Sequence, residues 1–366
     1  MKKISWWEPM IGESERALVN DVLASNFIND GKVTTDFENR LADLLECRHV
    51  VAVTSGTAAL FMSLAVLNIG PGDEVIVPDA TFIATVNAVA MSGATPVLAD
   101  IDPVRLTLSP ESVSAAITPK TKAVIPVHVS GRAADMEKIT KIAEAHGLHV
   151  IEDAAEAFMS KGGGRYLGAF GVTGCFSFSP LKLITTGQGG VVTTNDEAVM
   201  NRLRQIKDQG RLGRSTGVDY VIPSIGYNFK LTNLQAAVGM GQLETLDWRM
   251  ARLRGHYRVY ERELDGIEEI TLPGFDVENG EVPLWTDVLA ERRDELEAYL
   301  RDNGIDSRRF WIPIHTQPSY RADGANFPNC TQAMNKALWL PADFDLTEED
   351  VKYVCDTIRE YYTKLA

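Results

Sequence analysis

From residue 48 to about residue 200, short apolar runs alternate with helical patterns, and this alternation constrains the fold more than any other feature of the chain. The strand candidates are His49–Thr54, Glu74–Val77, Pro96–Asp100, Ala123–His128, His149–Glu152, Gly174–Phe178 and Gly190–Thr194. They are rich in Val and Ile and mostly apolar on both faces, as strands in the middle of a parallel sheet are. Helical patterns lie between them. Thr57–Leu67 follows a Ser-Gly turn, and Phe82–Met91 precedes Gly93. Ala134–His146 carries Met136, Ile139 and Ile142 at helical spacing and stops at Gly147. Strand and helix in repetition predict an α/β fold, with a parallel sheet covered by helices on both faces.

Past residue 240 the texture changes. Leu243–Glu263 reads as one long helix rich in Arg and Glu. Strand-like pieces follow at Glu268–Leu272 and Pro283–Ala290, then a helix, Arg293–Asn303, ending before Gly304. A last helix opens on the capping box Thr347-Glu348-Glu349-Asp350 and runs to about Leu365. The chain is longer than a typical single domain at 366 residues. We therefore expect a large α/β domain over residues 1–240 and a smaller α+β domain over 241–366.

Composition narrows the function classes. A net charge of −14 argues against a nucleic-acid backbone as partner, because phosphates would be repelled, although a pocket can still be locally positive. Cys47, Cys175, Cys330 and Cys355 are scattered, with no C-x-x-C pair, so neither a disulfide framework nor a metal site is expected. Two lysines near the N-terminus are not followed by the apolar run of a signal peptide. The apolar-rich stretch Ala58–Ile69 is too short to span a bilayer. The expectation is a cytoplasmic protein without a membrane partner.

Three segments should converge, because each follows a strand and ligands of open α/β sheets bind at the carboxyl ends of strands. The first is Ser55-Gly56-Thr57, where a strand turns into a helix. Free backbone N–H groups and two hydroxyls there suit a phosphate, and an ordinary helix cap explains the same residues. The second is Asp153, at the end of a buried strand. A carboxylate there can keep a pyridine nitrogen protonated, and it can equally serve as a cap or in an ion pair. The third is Lys182 in Ser179-Pro180-Leu181-Lys182-Leu183-Ile184, followed by a Gly-rich return. Apolar surroundings disfavour a charged amine, and a neutral amine is what Schiff-base chemistry needs. No carboxylate lies near this lysine in sequence. An amine, an acid for a ring nitrogen and a phosphate cradle together meet the needs of pyridoxal phosphate (PLP).

The chain also resembles a known family, the DegT/DnrJ/EryC1/StrS-like sugar aminotransferases of PLP fold type I. The likeness rests on Ser55–Leu60, Pro71–Pro78, Thr81–Thr85, Pro126-Val127-His128, Asp135-Met136, Glu152–Ala155, Phe176–Lys182, Thr186–Gly190 and Gly226–Ala237. It implies that Phe82 stacks on the cofactor ring and that Gly56, Thr57 and Ser177 bind its phosphate. It places Glu156 near the ring's hydroxyl edge and Asn228 at the phosphate of a neighbouring subunit's cofactor, in a homodimer or larger assembly with shared sites. Lysine rather than histidine at 182 favours transamination over dehydration. Glu156 and the segment Arg308–Pro318 look most like the perosamine-synthase branch, whose substrate is a GDP-linked 4-keto-6-deoxy sugar. The family's Gly-Glu-Gly-Gly reads Gly187-Gln188-Gly189-Gly190 here.

The resemblance implies a ping-pong exchange between glutamate and a nucleotide-linked keto sugar, with pyridoxamine phosphate as the amine-carrying form of the cofactor. Lys182 and Asp153 would be catalytic, and Lys230, Arg308, Arg309 or His315 could meet the sugar-linked diphosphate, although Arg308 and Arg309 could equally be solvated charges flanking a helix. Two other readings remain open on sequence: a PLP-dependent dehydratase or epimerase of the same sugar class, and a non-catalytic ligand sensor on the same fold.

Overall fold

The computed structural model describes residues 3–211, 222–322 and 324–365. The α/β character is as expected, and the central sheet is mostly parallel. Two helices, α1 (Glu13–Ala24) and α2 (Lys32–Leu44), precede the first strand. Then β1 (His49–Val53) leads into α3 (Gly56–Val66), β2 (Glu74–Pro78) into α4 (Ile83–Ser92), and β3 (Thr95–Ala99) into α5 (Pro110–Ala116). β4 (Thr121–Val124) leads into α6 (Met136–His146) and β5 (His149–Asp153). A small hairpin, β6 (Lys161–Gly162) and β7 (Arg165–Tyr166), comes before β8 (Thr173–Ser177), β9 (Gly190–Thr194) and α7 (Glu197–Lys207).

These strands form a seven-stranded sheet in the order β1-β9-β8-β5-β4-β2-β3. Its members run parallel except β9, which is antiparallel to both β1 and β8. The alternation rule predicts a fully parallel sheet, and the exception has a plain cause. No helix separates β8 from β9, so the chain cannot cross over and returns directly. That return carries Lys182.

α3 lies against the sheet and is apolar almost all round; its buried residues include Leu60, Met62 and Leu64. A helix of this kind is stable only when covered on every side. It starts where it does because Ser55 accepts a hydrogen bond from the Ala58 N–H at 3.1 Å.

The C-terminal part contains α8 (Asn233–Glu244), α9 (Leu246–Leu264), β10 (Ile270–Thr271), β11 (Thr286–Ala290), α10 (Arg293–Asp302), β12 (Arg308–Arg309), α11 (Pro328–Lys336), β13 (Ala337–Leu340) and α12 (Glu348–Thr363). Its four strands form an antiparallel sheet in the order β10-β11-β13-β12. The long helix expected over Leu243–Glu263 is α9, which begins three residues later than expected because α8 ends at Glu244 as a separate helix. The two helices meet at Thr245, whose hydroxyl accepts from Arg249 and donates back to the Gln242 carbonyl. Side-chain bonds of this kind compete with the helical ladder. The capping box at Thr347 forms with Asp350. β13, the strand that joins β11 to β12, has no counterpart among the expected elements.

The second sheet has two different faces. Val288, Leu338 and Leu340 pack with Tyr260, Leu300 and Ile358 under the helices. Trp285, Phe310 and Trp339 face the other way and join a core shared with Phe37, Phe158 and Phe178 of the large sheet's surroundings. No helix among the described residues is long and apolar enough to cross a membrane.

Gly190 sits where the backbones of β8, β9 and the start of α3 approach one another closely. A Cβ there would stand 2.6 Å from the Phe176 carbonyl oxygen and 2.7 Å from the Gly56 nitrogen. Gly190→Ala is expected to destabilise by about 1–3 kcal/mol or more, because backbone rather than flexible side chains must move. Gly255, inside α9, has open space where its Cβ would be, so Gly255→Ala is expected to stabilise by about 0.5–1 kcal/mol. Urea denaturation of the two variants checks both signs; equal effects would show that the crowding at Gly190 is easily relieved.

Candidate active site

The three segments do converge. Ser55, Gly56, Thr57, Phe82, Asp153, Glu156, Ser177, Lys182 and Arg308 all line one cavity of about 310 Å³. The volume lies within the range of small-molecule sites. The cavity sits at the carboxyl ends of β5 and β8, and its far wall is built from Trp6, Trp285, Trp311 and Trp339.

One side of the cavity is the start of α3. Gly56 lies so close to Ser177 that an added Cβ would meet the Ser177 Cβ at 2.9 Å. Only glycine lets the helix begin against that hydroxyl. The unpaired N–H groups of a first helical turn, with the hydroxyls of Thr57 and Ser177 beside them, form an anion site. Ser55 is partly committed as the N-cap of α3. The cap reading holds for Ser55, and it is compatible with the phosphate reading.

Asp153 ends β5 with its carboxylate buried. One oxygen accepts from the Thr85 hydroxyl at 2.7 Å, the other from the Ala155 N–H at 3.1 Å. Burial pushes its pKa up, against the pull of these donors and of the Lys182 charge. Glu156 is also held above the usual carboxylate range by burial, opposed first by Lys182. A desolvated carboxylate with only neutral direct donors is stabilised by an arriving cation. A protonated pyridine nitrogen is such a cation.

The amine of Lys182 is not isolated from carboxylates in space, as it is in sequence. Glu156 Oε1 lies 3.3 Å from Lys182 Nζ. The Trp285 ring lies 4.9 Å from the same nitrogen. Phe82 is 55% exposed, a large aromatic ring left open at a cavity wall. Amine, buried acid, anion cradle and open aromatic face together fit PLP.

Arg308 also reaches the cavity, with its guanidinium 5.1 Å from the Trp6 ring. Other expected site residues do not reach it within their own chain. Lys230 is ion-paired with Asp208 at 2.6 Å. His315 binds Asp79 through its ring Nδ1 at 2.6 Å and its backbone N–H at 2.8 Å. It thereby anchors the loop after β2 that carries Phe82. Asn228 is exposed, in a segment whose Ile225 is 83% exposed.

Sequence reasoning missed the tryptophan wall. Trp6, Trp285, Trp311 and Trp339 come from four separate parts of the chain, and their proximity is a product of the fold. Their ring contacts lie between 4.7 and 5.8 Å. The sole sequence signal was the number of tryptophans, six in all.

The raised carboxyls have a consequence for stability. A carboxyl whose folded pKa exceeds its unfolded value holds its proton more readily when folded, so it favours folding at low pH. That contribution is lost as pH rises from the ordinary carboxylate range, near 4, through the raised value. The cofactor-free protein should therefore gain a stabilising contribution from Asp153 and Glu156 on moving from pH 7.5 to pH 5.5. Asp153→Asn should raise its stability at pH 7.5 and flatten this slope. Denaturation of both proteins at the two pH values checks the sign; an Asn variant that is less stable at pH 7.5 would mark Asp153 as structural.

Comparison with known proteins agrees with this geometry. Residues 9–359 match the model of the DegT/DnrJ/EryC1/StrS aminotransferase family. The chain is 37% identical to a GDP-perosamine synthase of Escherichia coli O157:H7, covering 99% of this chain and 100% of that protein. A GDP-perosamine synthase of Vibrio cholerae is 35% identical over 97% of this chain and 98% of its own. Among solved structures, the aminotransferase TlmJ of Streptoalloteichus hindustanus superposes with a TM-score of 0.95 at 29% identity, with both chains fully covered. The chain belongs to the DegT/DnrJ/EryC1/StrS aminotransferase family, and it is a PLP-dependent sugar aminotransferase.

Proposed function

We propose that this enzyme moves the amino group of glutamate onto C4 of GDP-4-keto-6-deoxymannose, giving GDP-perosamine. The observation that carries the reading is the pairing of Lys182 with Glu156 in the same cavity as buried Asp153 and the start of α3. The substrate follows from two relatives, each named GDP-perosamine synthase, which align over nearly the whole chain.

PLP, when bound, supplies an electron sink for the pair released as a Cα–H bond breaks. Lys182 would carry the cofactor and then, freed, would take a proton from the donor Cα and return it to the cofactor carbon bonded to the same nitrogen. Its Nζ lines the cavity, and Glu156 can hold it as ammonium after it takes a proton. Asp153 would hold a proton at the ring nitrogen, its Thr85 and Ala155 contacts fixing the carboxylate plane. Gly56, Thr57 and Ser177 would bind the phosphate, and Phe82 would cover one ring face. Arg308 would meet an anionic part of the substrate, the donor carboxylate or the diphosphate, while its cation rests on Trp6. With substrate bound, the indole walls would shield the reacting atoms from water.

Incubation of the purified enzyme with PLP, glutamate and a panel of nucleotide-linked keto sugars is expected to give an amine product from GDP-4-keto-6-deoxymannose, read by mass spectrometry. Lys182→Ala should lower turnover by about 10²–10⁴-fold or more while retaining cofactor, because the phosphate and ring contacts come from other residues. Turnover of another ketone but of no 4-keto nucleotide sugar would overturn the substrate. Normal turnover by Lys182→Ala would overturn the site.

The exposed segment around Asn228 supports a second part of the reading, a shared site in a dimer or larger assembly. Tyr227 stacks on Phe229 at 5.2 Å, and Ile225 stands out from the surface. Apolar side chains presented beside a polar one suit an interface. Subunit exchange between inactive Lys182→Ala and a crippled Asn228→Ala variant should therefore restore activity above that of either parent, because some mixed dimers contain one intact site. Activity that stays at the parental level argues against sharing.

A further inference from the structure

Ser130 lies where the two sheets meet, in a turn after β4. Its backbone is left-handed (φ 54°, ψ 17°), and Gly131 follows at φ +99°. A Cβ on Gly131 would fall 2.0 Å from the Val282 carbonyl oxygen. The Leu284 N–H donates to the Ser130 carbonyl at 2.9 Å. The turn is therefore clamped against the chain that enters β11. A left-handed conformation at a residue other than glycine persists only where its surroundings over-determine it.

Two hydrogen-bond paths leave Ser130. Its backbone N–H donates to Glu156 Oε2 at 3.0 Å, and the other oxygen of Glu156 takes Lys182 Nζ at 3.3 Å. Its hydroxyl donates to Asp287 Oδ1 at 2.9 Å and accepts from Trp339 Nε1 at 3.3 Å. Asp287 and Trp339 face each other in register on β11 and β13. Behind them, fully buried Arg132 meets Asp287 Oδ2 at 2.5 Å, with its guanidinium 4.6 Å from the Phe275 ring centroid. Ser130, Arg132, Asp287, Trp339 and Glu156 are all buried.

We propose that Ser130, Asp287 and Trp339 are positioning residues for the amine of Lys182, acting through Glu156. The inference rests on the reading of Lys182 as the residue that carries the cofactor. Glu156 has two oxygens and one cation to hold. Fixing one oxygen on the Ser130 N–H aims the other at Nζ. The Ser130 hydroxyl ties that aim to Asp287 and Trp339, hence to the second sheet. The same sheet supplies Arg308 and Trp339 to the cavity wall. The amine and the substrate wall therefore share one rigid support. Misplacing a reacting group by a fraction of an ångström costs rate without weakening substrate binding.

The test uses the PLP-loaded enzyme and four proteins: wild type, Ser130→Ala, Trp339→Phe and Val288→Ala. Ser130→Ala removes the hydroxyl alone, and Trp339→Phe keeps an aromatic ring without the indole N–H. Val288, next to Asp287 on β11, packs on the opposite face of the sheet and serves as a control for stability. Borohydride reduction followed by peptide mass spectrometry gives the fraction of bound cofactor captured on Lys182. Ser130→Ala should lower kcat by about tenfold with KM within about twofold, and lower the captured fraction at unchanged cofactor occupancy. Trp339→Phe should shift both in the same direction. Val288→Ala should lower the thermal midpoint and leave both unchanged. Wild-type kcat and capture in Ser130→Ala would overturn the inference. So would losses in Val288→Ala that match those of Ser130→Ala. Failure of the wild type itself to capture cofactor on Lys182 would instead overturn the reading on which the inference rests.

Discussion

The reversal of the chain between Ser177 and Gly190 places the Lys182 amine and the first turn of α3 at the same end of the sheet. A helical crossover would have carried the lysine across a face of the sheet and brought β9 in parallel. Instead the loop closes on itself: Thr186 N–H donates to the Phe178 carbonyl and Phe178 N–H to the Gly189 carbonyl, at 3.0 and 2.9 Å. β9 then inserts between β8 and β1. That insertion requires a residue without a side chain at 190, since Ser55, Gly56 and Phe176 all approach its backbone. The turn into α3, the lysine loop and the strand that separates them are thus fixed by one close contact.

Electrostatics then separates three carboxylates that look alike in sequence. Glu152 and Asp153 are adjacent on β5, and a strand sends adjacent side chains to opposite faces. Glu152 turns away from the cavity and is fully satisfied there. It accepts from the N–H groups of Gly168, Phe170 and Gly171 at 2.6–2.8 Å, and from His128 Nε2 at 3.0 Å. His128 Nδ1 accepts the Ala134 N–H, so Nε2 carries the proton that faces Glu152. Glu156 has the Lys182 cation. Asp153 has a hydroxyl and a peptide N–H, and burial without a cation at contact distance raises its pKa. Among the three it is the one whose charge a cationic ligand would stabilise most. A net charge of −14 is compatible with an anionic cofactor here, because the cofactor's phosphate would meet the peptide dipoles at the start of α3 rather than these carboxylates.

Much of this was legible in the sequence because it rests on local patterns. The apolar runs of the large sheet, the Gly93 and Gly147 stops and the capping box at Thr347 all appear where local physics puts them. The convergence of Ser55–Thr57, Asp153 and Lys182 followed from a single topological rule. What escaped was non-local or without period. β13 is Ala337-Leu338-Trp339-Leu340, buried on both faces directly after a helix, so it shows no alternation. The start of α9 just past Thr245, rather than at Leu243, depends on the two hydrogen bonds of the Thr245 hydroxyl. The Glu156–Lys182 pair spans a loop, a hairpin and a strand. Trp6 reaches Trp285 and Trp339 only because the N-terminal segment lies across the second sheet, with Ile4 bridged to Ile305 and the Trp6 carbonyl accepting from Ala342.

The contact between the two sheets shows why a buried polar network was kept where apolar packing would be simpler. Trp285, Trp339, Phe310 and their neighbours are buried in one apolar core at this boundary. Apolar contacts tolerate sliding, however, since they have little directional preference. Arg132, Asp287, Ser130 and Glu156 do not. Breaking any one link leaves a desolvated charge or donor, which costs far more than the link contributes. Such a network selects a single register of one sheet on the other. The catalytic chemistry proposed for Lys182 needs that register more than it needs stability, because the amine must reach both the cofactor and a proton on the substrate from one anchored position.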